Sequence, residues 1–296
     1  PPKSGQAAAA AAASSPLTAK AIKHAKALED MSEPGSINML LEPGDEVQRL
    51  ELVNLGAAFR SADVPNPLGA GPRGDNEWLH ADCWMTKTFY RLNRRDDRGH
   101  LYYQALLGGP RERIHFDPAK SAAVIVTCGG LCPGLNSVIR EVVMTLASYG
   151  VPRVYGCRGG YKGMVKPEDW MELTPESVKQ IHTQGGTILV SDRGNPPASD
   201  IAQALKSKGI THYFVIGGDG THRGAMEIFK ATEEIKYECS VVGIPKTIDN
   251  DIPILDRSFG FNTACTEAVA AINSAYVEAT SNTSCIGIVK LMGRHC

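Results

Sequence analysis

Three carboxylates in two short turns are the residues of this sequence best suited to chemistry on a phosphate. Asp219 lies in Gly-Gly-Asp-Gly-Thr at 217–221, and Asp249 and Asp251 lie in Pro-Lys-Thr-Ile-Asp-Asn-Asp at 245–251. Carboxylate oxygens suit Mg²⁺, which proteins hold through one or two carboxylates together with substrate phosphates. Residues i and i+2 of an extended stretch point to the same side. We therefore expect Asp249 to accept a proton from an attacking hydroxyl, Asp219 to bind a metal ion, and Asp251 to be a second metal ligand or a structural partner.

The neighbours of these carboxylates fit the same chemistry, although each has a plainer explanation. Gly220 leaves space beside Asp219 for the phosphate chain of a nucleotide. The alternative is a glycine-rich turn in which Asp219 only caps a helix. Thr247 and Lys246 can contact a phosphate during its transfer. For Lys246 the alternative is an exposed surface lysine.

A third glycine-rich segment, Thr-Cys-Gly-Gly-Leu-Cys-Pro-Gly-Leu-Asn at 127–136, has the composition of a turn between a strand and a helix. Backbone N–H groups in such a turn can approach a phosphate, and the helix N-terminus adds partial positive charge. The segment has neither the Gly-Lys-Ser/Thr of a P-loop nor the Gly-x-Gly-x-x-Gly spacing. Taken alone, an ordinary tight turn explains it as well.

Short apolar runs precede all three turns and are typical of buried strands that alternate with helices. This order predicts an α/β fold, a doubly wound and mainly parallel sheet with helices on both faces. Ligands of such sheets bind at the carboxyl ends of the strands, so Asp219, Asp249 and Asp251 are expected to share one crevice. The predicted strands are 122–127, 154–156, 187–190, 212–216, 240–244 and 286–291, and the predicted helices are 136–148, 175–184, 201–208, 222–232 and 263–279.

The overall composition excludes some classes of function. The chain has 296 residues, 43% of them hydrophobic and 21% charged, with a formal net charge of −1. It therefore carries no general basic field for nucleic acid. No apolar run approaches the ~18 residues of a membrane span, so we expect no membrane partner. The scattered cysteines indicate free thiols in a reducing compartment.

Five segments in a fixed order resemble the 6-phosphofructokinase family over residues 121–296, most closely the plant and algal ATP-dependent branch. They are Gly-Gly-x-x-Pro-Gly-x-Asn at 129–136, the segments at 217–221 and 245–251, Phe-Gly-Phe-x-Thr-Ala at 259–264 and Met-Gly-Arg at 292–294. The resemblance implies transfer of a phosphoryl group from ATP to the 1-hydroxyl of fructose 6-phosphate, giving fructose 1,6-bisphosphate in glycolysis. It also implies Mg²⁺ and a homo-oligomer, either a dimer or a tetramer.

The resemblance also implies roles for individual residues. Asp249 would take the proton from the sugar hydroxyl, and Arg294 would offset charge on the moving phosphoryl group. The residues facing fructose 6-phosphate would be Thr247, Asp249, Met292, Gly293 and Arg294. The residues binding ATP would be Gly130, Tyr161, Arg193, Gly218, Asp219, Gly220 and Thr221, with Asp219 and Asp251 at the metal.

Composition before residue 121 and the resemblance after it divide the chain into four segments. Residues 1–16 form an Ala/Ser-rich leader that we expect to be disordered, 17–120 an N-terminal extension, 121–260 the nucleotide-binding α/β lobe, and 261–296 the start of the sugar-phosphate-binding lobe. The leader lacks acidic residues, as in an organelle transit peptide. We therefore expect the cytoplasm, with a plastid as the alternative.

Two departures from the family pattern leave other functions open. Pyrophosphate-using members carry Lys at the position of Lys246, but they usually have Asp at the position of Gly220, where a carboxylate would repel ATP. Gly220 therefore favours ATP. The chain also stops shortly after Met-Gly-Arg, where the family normally continues. The alternatives are thus a pyrophosphate-dependent enzyme, or a catalytically incomplete fragment or regulatory partner that binds nucleotide.

Overall fold

The computed structural model describes residues 46–50, 64–69, 78–79, 83–89, 101–192, 194–252 and 255–293. The leader at 1–16 and two predicted site residues, Arg193 and Arg294, lie outside the described residues. Two compact units contain the described parts. One falls within Pro1–Val53 and Glu77–Arg111, and the other within Asn54–Asn76 and Glu112–Cys296. The four segment limits expected from the sequence stay predictions.

The segment before residue 120 contains short strands that the sequence analysis did not predict. Strand β4 pairs in parallel with β1 and antiparallel with β3, which gives a three-stranded sheet in the first unit. Strands β2 and β5 form an antiparallel pair in the second unit. Strands β2 and β5 have only two residues each, too short for a hydrophobic period to show in the sequence. In chain order they are β1 (Glu46–Leu50), β2 (Val64–Pro65), β3 (Trp84–Phe89), β4 (Leu101–Leu106) and β5 (Arg113–Ile114).

A five-stranded sheet organises the second unit. Its order is β10-β9-β6-β7-β8, in which β8 alone is antiparallel to its neighbour. Every residue of β6 is buried, which explains its unbroken run of apolar residues at the centre of a parallel sheet. The mainly parallel sheet predicted from the sequence is therefore confirmed. The strands are β6 (Ala122–Thr127), β7 (Arg153–Cys157), β8 (Trp170–Glu172), β9 (His212–Gly217) and β10 (Ser240–Pro245).

Helices cover both faces of this sheet. They are α1 (Leu135–Ser148), α2 (Gly160–Met164), α3 (Pro175–Val178), α4 (Ala198–Lys208), α5 (Asp219–Glu234) and α6 (Phe261–Thr280). Side chains of α2, α4 and α5 pack with Val124, Tyr213 and Val215 in one core cluster. Side chains of α1 and α3 pack with Ala123 and Ile125 in a second cluster. Because consecutive residues of β6 enter different clusters, the two cores lie on opposite faces, as a doubly wound fold requires.

Two predictions between β8 and α4 are wrong. Residues 187–190 form turns rather than a strand, because Val190 has a φ of 52° and the Asn136 side chain accepts a hydrogen bond from the Ile188 amide at 2.9 Å. The predicted helix 175–184 ends at Val178. Gln180 leaves the helical conformation with a φ of −117°, and a 3₁₀ turn follows at Ile181–Thr183.

The predicted strand at 286–291 is also absent. These residues have no regular structure, and Ile286 and Ile288 are 84% and 87% exposed. A strand needs a neighbour to bond its backbone groups, and no strand in the described ranges pairs with this segment. The preceding helix α6 buries none of its residues. Among the helices that the structure describes, none has the length and apolarity to span a bilayer.

Candidate functional site

The candidate site is a cleft of about 300 Å³ at the carboxyl ends of β6 and β9. The chain runs from β6 to β7 on one side and later returns to place β9 on the other, so these neighbours flank the topological switch point where such folds bind ligands. The cleft lining joins all three glycine-rich or acid-bearing segments found in the sequence. Its residues are Cys128, Gly129, Gly130, Tyr161, Asp192, Asn195, Gly218, Asp219, Gly220, Thr221 and Lys246.

The turn after β6 forms one wall of the cleft. The Cys128 amide donates to the Ile216 carbonyl at 2.9 Å, which extends the pairing between β6 and β9 into the turn. Gly129 follows with a φ of +81°, a conformation that favours glycine. Burial raises the pKa of the Cys128 thiol to about 11, although Lys246 opposes the shift. The thiol is therefore protonated at neutral pH and is not a nucleophile.

The turn after β9 forms the opposite wall. A Cβ atom on Gly217 would lie 2.4 Å from Thr221 Oγ1, so only glycine allows this close approach. Helix α5 begins at Asp219, whose side chain is exposed at the cleft. Apart from its chain neighbours and its own helix, no residue that the structure describes has an atom within 4 Å of a Cβ atom on Gly220. The predicted space beside Asp219 therefore exists in the fold, next to a helix N-terminus that favours anions.

Lys246 is buried, so the surface-lysine alternative is wrong. Its side chain is 9% exposed, and Nζ donates to the Gly130 carbonyl at 2.5 Å. The Lys246 amide donates to the Gly217 carbonyl at 2.8 Å. Lys246, which follows β10, thus forms hydrogen bonds with the turn after β6 and with the last residue of β9. It also brings a positive charge to the cleft.

The segment after Lys246 is a turn rather than the expected extended stretch. Asn250 has a φ of 52°, and its side-chain oxygen accepts from the Ser258 amide at 2.7 Å. The Thr247 hydroxyl donates to the Asp251 carboxylate at 2.6 Å, and the Asp249 amide donates to Thr247 Oγ1 at 3.1 Å. The i, i+2 argument for Asp249 and Asp251 on one side therefore does not hold, because the left-handed Asn250 between them interrupts the extended backbone.

Tyr161 closes the floor of the cleft. Its side chain is 3% exposed, and its hydroxyl donates to the Thr221 carbonyl at 2.6 Å. Burial raises the pKa of this phenol above its ordinary value. The hydroxyl therefore stays protonated and remains a donor at neutral pH.

Sequence reasoning missed Asp192 and Asn195 as cleft residues. The backbone of Asp192 forms a parallel bridge with Cys128, and its carboxylate pairs with Lys162 Nζ at 3.0 Å. The sequence signal was their position beside Arg193, a residue that the family resemblance already assigned to the nucleotide.

Several predicted residues do not line this cleft. Thr247, Asp249, Asp251, Met292 and Gly293 are absent from its lining, and Met292 is 63% exposed. Among the described residues, no three His, Cys, Asp or Glu side chains are grouped closely enough to hold a metal ion. A metal here would consequently need oxygen ligands from a bound phosphate and from water besides Asp219.

The chain resembles known proteins over most of its length. The family model described as PFK: Phosphofructokinase matches residues 122–296. ATP-dependent 6-phosphofructokinase 7 of Arabidopsis thaliana is 46% identical over 235 residues, covering 78% of this chain and 47% of the relative. The chloroplastic ATP-dependent 6-phosphofructokinase 5 of the same plant is 50% identical over 232 residues, covering 78% of this chain and 40% of the relative.

A solved phosphofructokinase structure also resembles the chain. Phosphofructokinase from Pichia pastoris in the T-state superposes with a TM-score of 0.50 and 26% identity, covering 62% of this chain and 21% of that chain. The chain spans about half the length, or less, of the curated relatives it matches.

Proposed function

Because the chain belongs to the phosphofructokinase family, we propose that it is an ATP-dependent 6-phosphofructokinase. It would transfer the terminal phosphoryl group of ATP to the 1-hydroxyl of fructose 6-phosphate and so form fructose 1,6-bisphosphate in glycolysis. The observation that carries this proposal is the cleft at the switch point, where open space at Gly220 lies beside Asp219 at the start of α5. A long phosphate chain fits such a site, with the helix N-terminus facing its negative charge.

The nucleotide would lie along the two glycine turns. Gly130, Gly218 and Gly220 have no side chain at the cleft, which lets a phosphate approach the backbone closely, and Thr221 lines the cleft beside them. Tyr161 and Arg193 would complete the set of residues that line the ATP site. The buried charge of Lys246 strengthens attraction for a polyanion in this partly enclosed place.

Family membership implies a divalent metal ion, and we propose Mg²⁺. The donor chemistry fits at Asp219, which offers an exposed carboxylate at the cleft, whereas the exposed Asp251 does not line the cleft and would have to join the metal from outside it. Bound Mg²⁺ would neutralise charge on the phosphates. A few oxygens from protein carboxylates and several from phosphate and water would coordinate the ion, which is the ligand set that Mg²⁺ prefers.

Asp249 is the proposed base for the sugar hydroxyl. Its side chain is half-buried, in the turn held by Thr247 and Ser258. Phosphoryl transfer needs chiefly positioning and charge neutralisation, so one oriented carboxylate can accept the hydroxyl proton during in-line attack. Fructose 6-phosphate would be held by Thr247, Met292, Gly293 and Arg294, with Arg294 offsetting charge on the transferring group.

A pyrophosphate-dependent reaction is the second candidate. Lys246 favours it, because a cation held at the cleft by Gly130 suits a small, highly charged donor. Gly220 argues for ATP, because it has no side chain and the described residues leave space around it for the rest of the nucleotide. Turnover of fructose 6-phosphate with each donor separates the two. Turnover with pyrophosphate alone would reject the ATP proposal, and nucleotide binding without turnover would support the catalytically incomplete alternative.

Asp249→Asn tests the proposed base. We expect turnover with ATP to fall by roughly 10²–10⁴-fold, the usual contribution of a general base, while affinity for Mg-ATP stays within about 2-fold. Asp256→Asn is the matched control, because it removes an exposed carboxylate a few residues later. An equal loss of ATP affinity in Asp249→Asn would show that this carboxylate serves the metal or the fold instead.

Assembly and location are further proposals. We propose a homo-oligomer, supported by the exposed apolar side chains Val269, Ile272, Tyr276 and Val277 on α6, which sedimentation of the purified chain would test. We propose the cytoplasm as the compartment, with the plastid as the alternative because two relatives are named chloroplastic. Imaging the leader fused to a fluorescent protein in plant cells would separate these locations.

A further inference from the structure

The buried hydroxyl of Tyr161 connects two loops that the sheet order keeps apart. Tyr161 lies in α2, just after β7, whereas Thr221 lies in the first turn of α5, just after β9. Strand β6 lies between β7 and β9. The 2.6 Å hydrogen bond from the hydroxyl to the Thr221 carbonyl therefore crosses the carboxyl end of β6, under the cleft.

Gly224 makes this contact possible. A Cβ atom at this position would lie 2.9 Å from Cε2 of Tyr161 and 3.4 Å from its hydroxyl oxygen. Any larger residue would push the ring away or move the first turns of α5. The glycine has no positive φ to explain it, so its evident role is to admit the aromatic ring.

The position of the first turn of α5 decides how well a phosphate binds there. The N–H groups at a helix N-terminus lack intrahelical partners and point toward an anion, and their alignment sets the strength of the interaction. A hydrogen bond to a carbonyl of that turn holds its orientation when no ligand is present. Such preorganisation raises affinity by reducing the ordering that binding must impose.

We propose that Tyr161 is a positioning residue, whose hydroxyl fixes the Gly218–Thr221 turn for the nucleotide phosphates through the Thr221 carbonyl. The inference rests on the proposed function, and it assigns the hydroxyl a different role from the direct ATP contact implied by the family resemblance. The oxygen of Tyr161 acts on the ligand through the protein backbone.

A second tyrosine provides a matched control. The Tyr237 hydroxyl donates to the Ile210 carbonyl at 2.8 Å, and burial raises the pKa of Tyr237 to about 12. Ile210 precedes β9, so this hydrogen bond lies at the opposite end of the strand from the cleft. Tyr161→Phe and Tyr237→Phe thus each remove one phenol-to-carbonyl hydrogen bond, one beside the cleft and the other far from it along β9.

The experiment is calorimetric titration of Mg-ATP into the wild-type chain and both variants, with thermal unfolding measured in parallel. We expect Tyr161→Phe to weaken Mg-ATP binding about 5-fold, the effect of one lost hydrogen bond, and Tyr237→Phe to leave the affinity unchanged. Both variants should lose similar thermal stability. Gly224→Ala should reproduce the weaker binding, because it displaces the same ring.

The possible outcomes distinguish a failure of the positioning role of Tyr161 from a failure of the proposed function. Equal affinities in the wild type and Tyr161→Phe would overturn the positioning role alone. Equal losses in the two tyrosine variants would also overturn it, because the effect would then be one of general stability. A wild-type chain that binds no Mg-ATP would overturn the proposed function and this inference with it.

Discussion

Lys162 and Asp192 form an ion pair at the edge of the cleft. In this pair the lysine offsets the negative charge that Asp192 brings to the cleft. Lys162 Nζ lies 3.0 Å from Asp192 Oδ2, with the two side chains 54% and 42% exposed. A Cβ atom on Gly194 would lie 1.8 Å from Lys162 Cε, so the absence of a side chain at Gly194 lets the lysine side chain extend to Asp192. A carboxylate beside a phosphate site repels the ligand. Lys162 therefore offsets an unfavourable charge on the cleft wall.

Replacing Lys162 should weaken nucleotide binding in a salt-dependent way. We expect Lys162→Met to reduce affinity for Mg-ATP by about 2–5-fold at low ionic strength, because exposed pairs contribute up to ~1 kcal/mol and salt screens them. Lys120→Met is the control, since Lys120 pairs with Asp117 at 3.1 Å before β6, at the other end of the strand. Calorimetric titration measures both, and equal effects would contradict a local role for Lys162.

The sequence predicted single site residues where a turn follows a strand directly. Asp219 and Gly220 reach the cleft as expected, because the strand end fixes where they emerge. Lys246 and Asp192 could not be assigned in this way. The inward direction of Lys246 depends on the Gly130 carbonyl, which lies 116 residues earlier. The place of Asp192 depends on its backbone bridge to Cys128, which no local pattern encodes.

At the scale of elements, the aromatic ring of His212 packs against two other rings at the amino end of strand β9. His212 packs edge-on against Phe116, with ring centroids 4.8 Å apart, and stacks with Phe214 at 6.4 Å. Its Nδ1 lies 2.8 Å from Thr211 Oγ1. Burial, with a smaller contribution from His115, lowers the pKa of His212 to about 4. This imidazole is therefore neutral in the folded protein at neutral pH.

His212 should make the protein less stable as the pH falls. The unfolded chain binds a proton near pH 6.5, whereas the folded chain does so only near pH 4, so stability is lost between these values. The total loss is about 3 kcal/mol. Urea unfolding at several pH values measures it. His212→Phe, which keeps a ring, should remove this part of the pH dependence, and His182→Phe at an exposed position should not. Parallel pH profiles for the wild type and His212→Phe would contradict this account.

Elements with strong local signals were predicted, and those that depend on distant partners were not. Strand β6 was predicted to the residue, and α1, β9 and β10 to within about one residue at each end, because their apolar patterns match their burial. Strand β8 has three residues and depends on pairing with β7. The 286–291 segment has a strand-like composition but no neighbouring strand in the described part of the chain.

At the scale of the whole molecule, the central claim is that the cleft between β6 and β9 is a nucleotide site. The claim depends on a mainly parallel sheet that brings three turns together, with Lys246 bonded to the turns after β6 and β9. The sheet of β1, β3 and β4 lies in the segment predicted as an N-terminal extension, but its individual strands were not predicted from the sequence.

The most direct test is Mg-ATP binding by the wild-type chain and by Gly220→Asp. The Cβ of the new side chain would meet no atom of a more distant residue in the described part of the chain within 4 Å, so the thermal unfolding temperature should not change. The account predicts measurable binding by the wild type and a loss of about 10-fold or more in the variant, because the added carboxylate repels the phosphates. Equal affinity in the two proteins would contradict the placement of the nucleotide in this cleft.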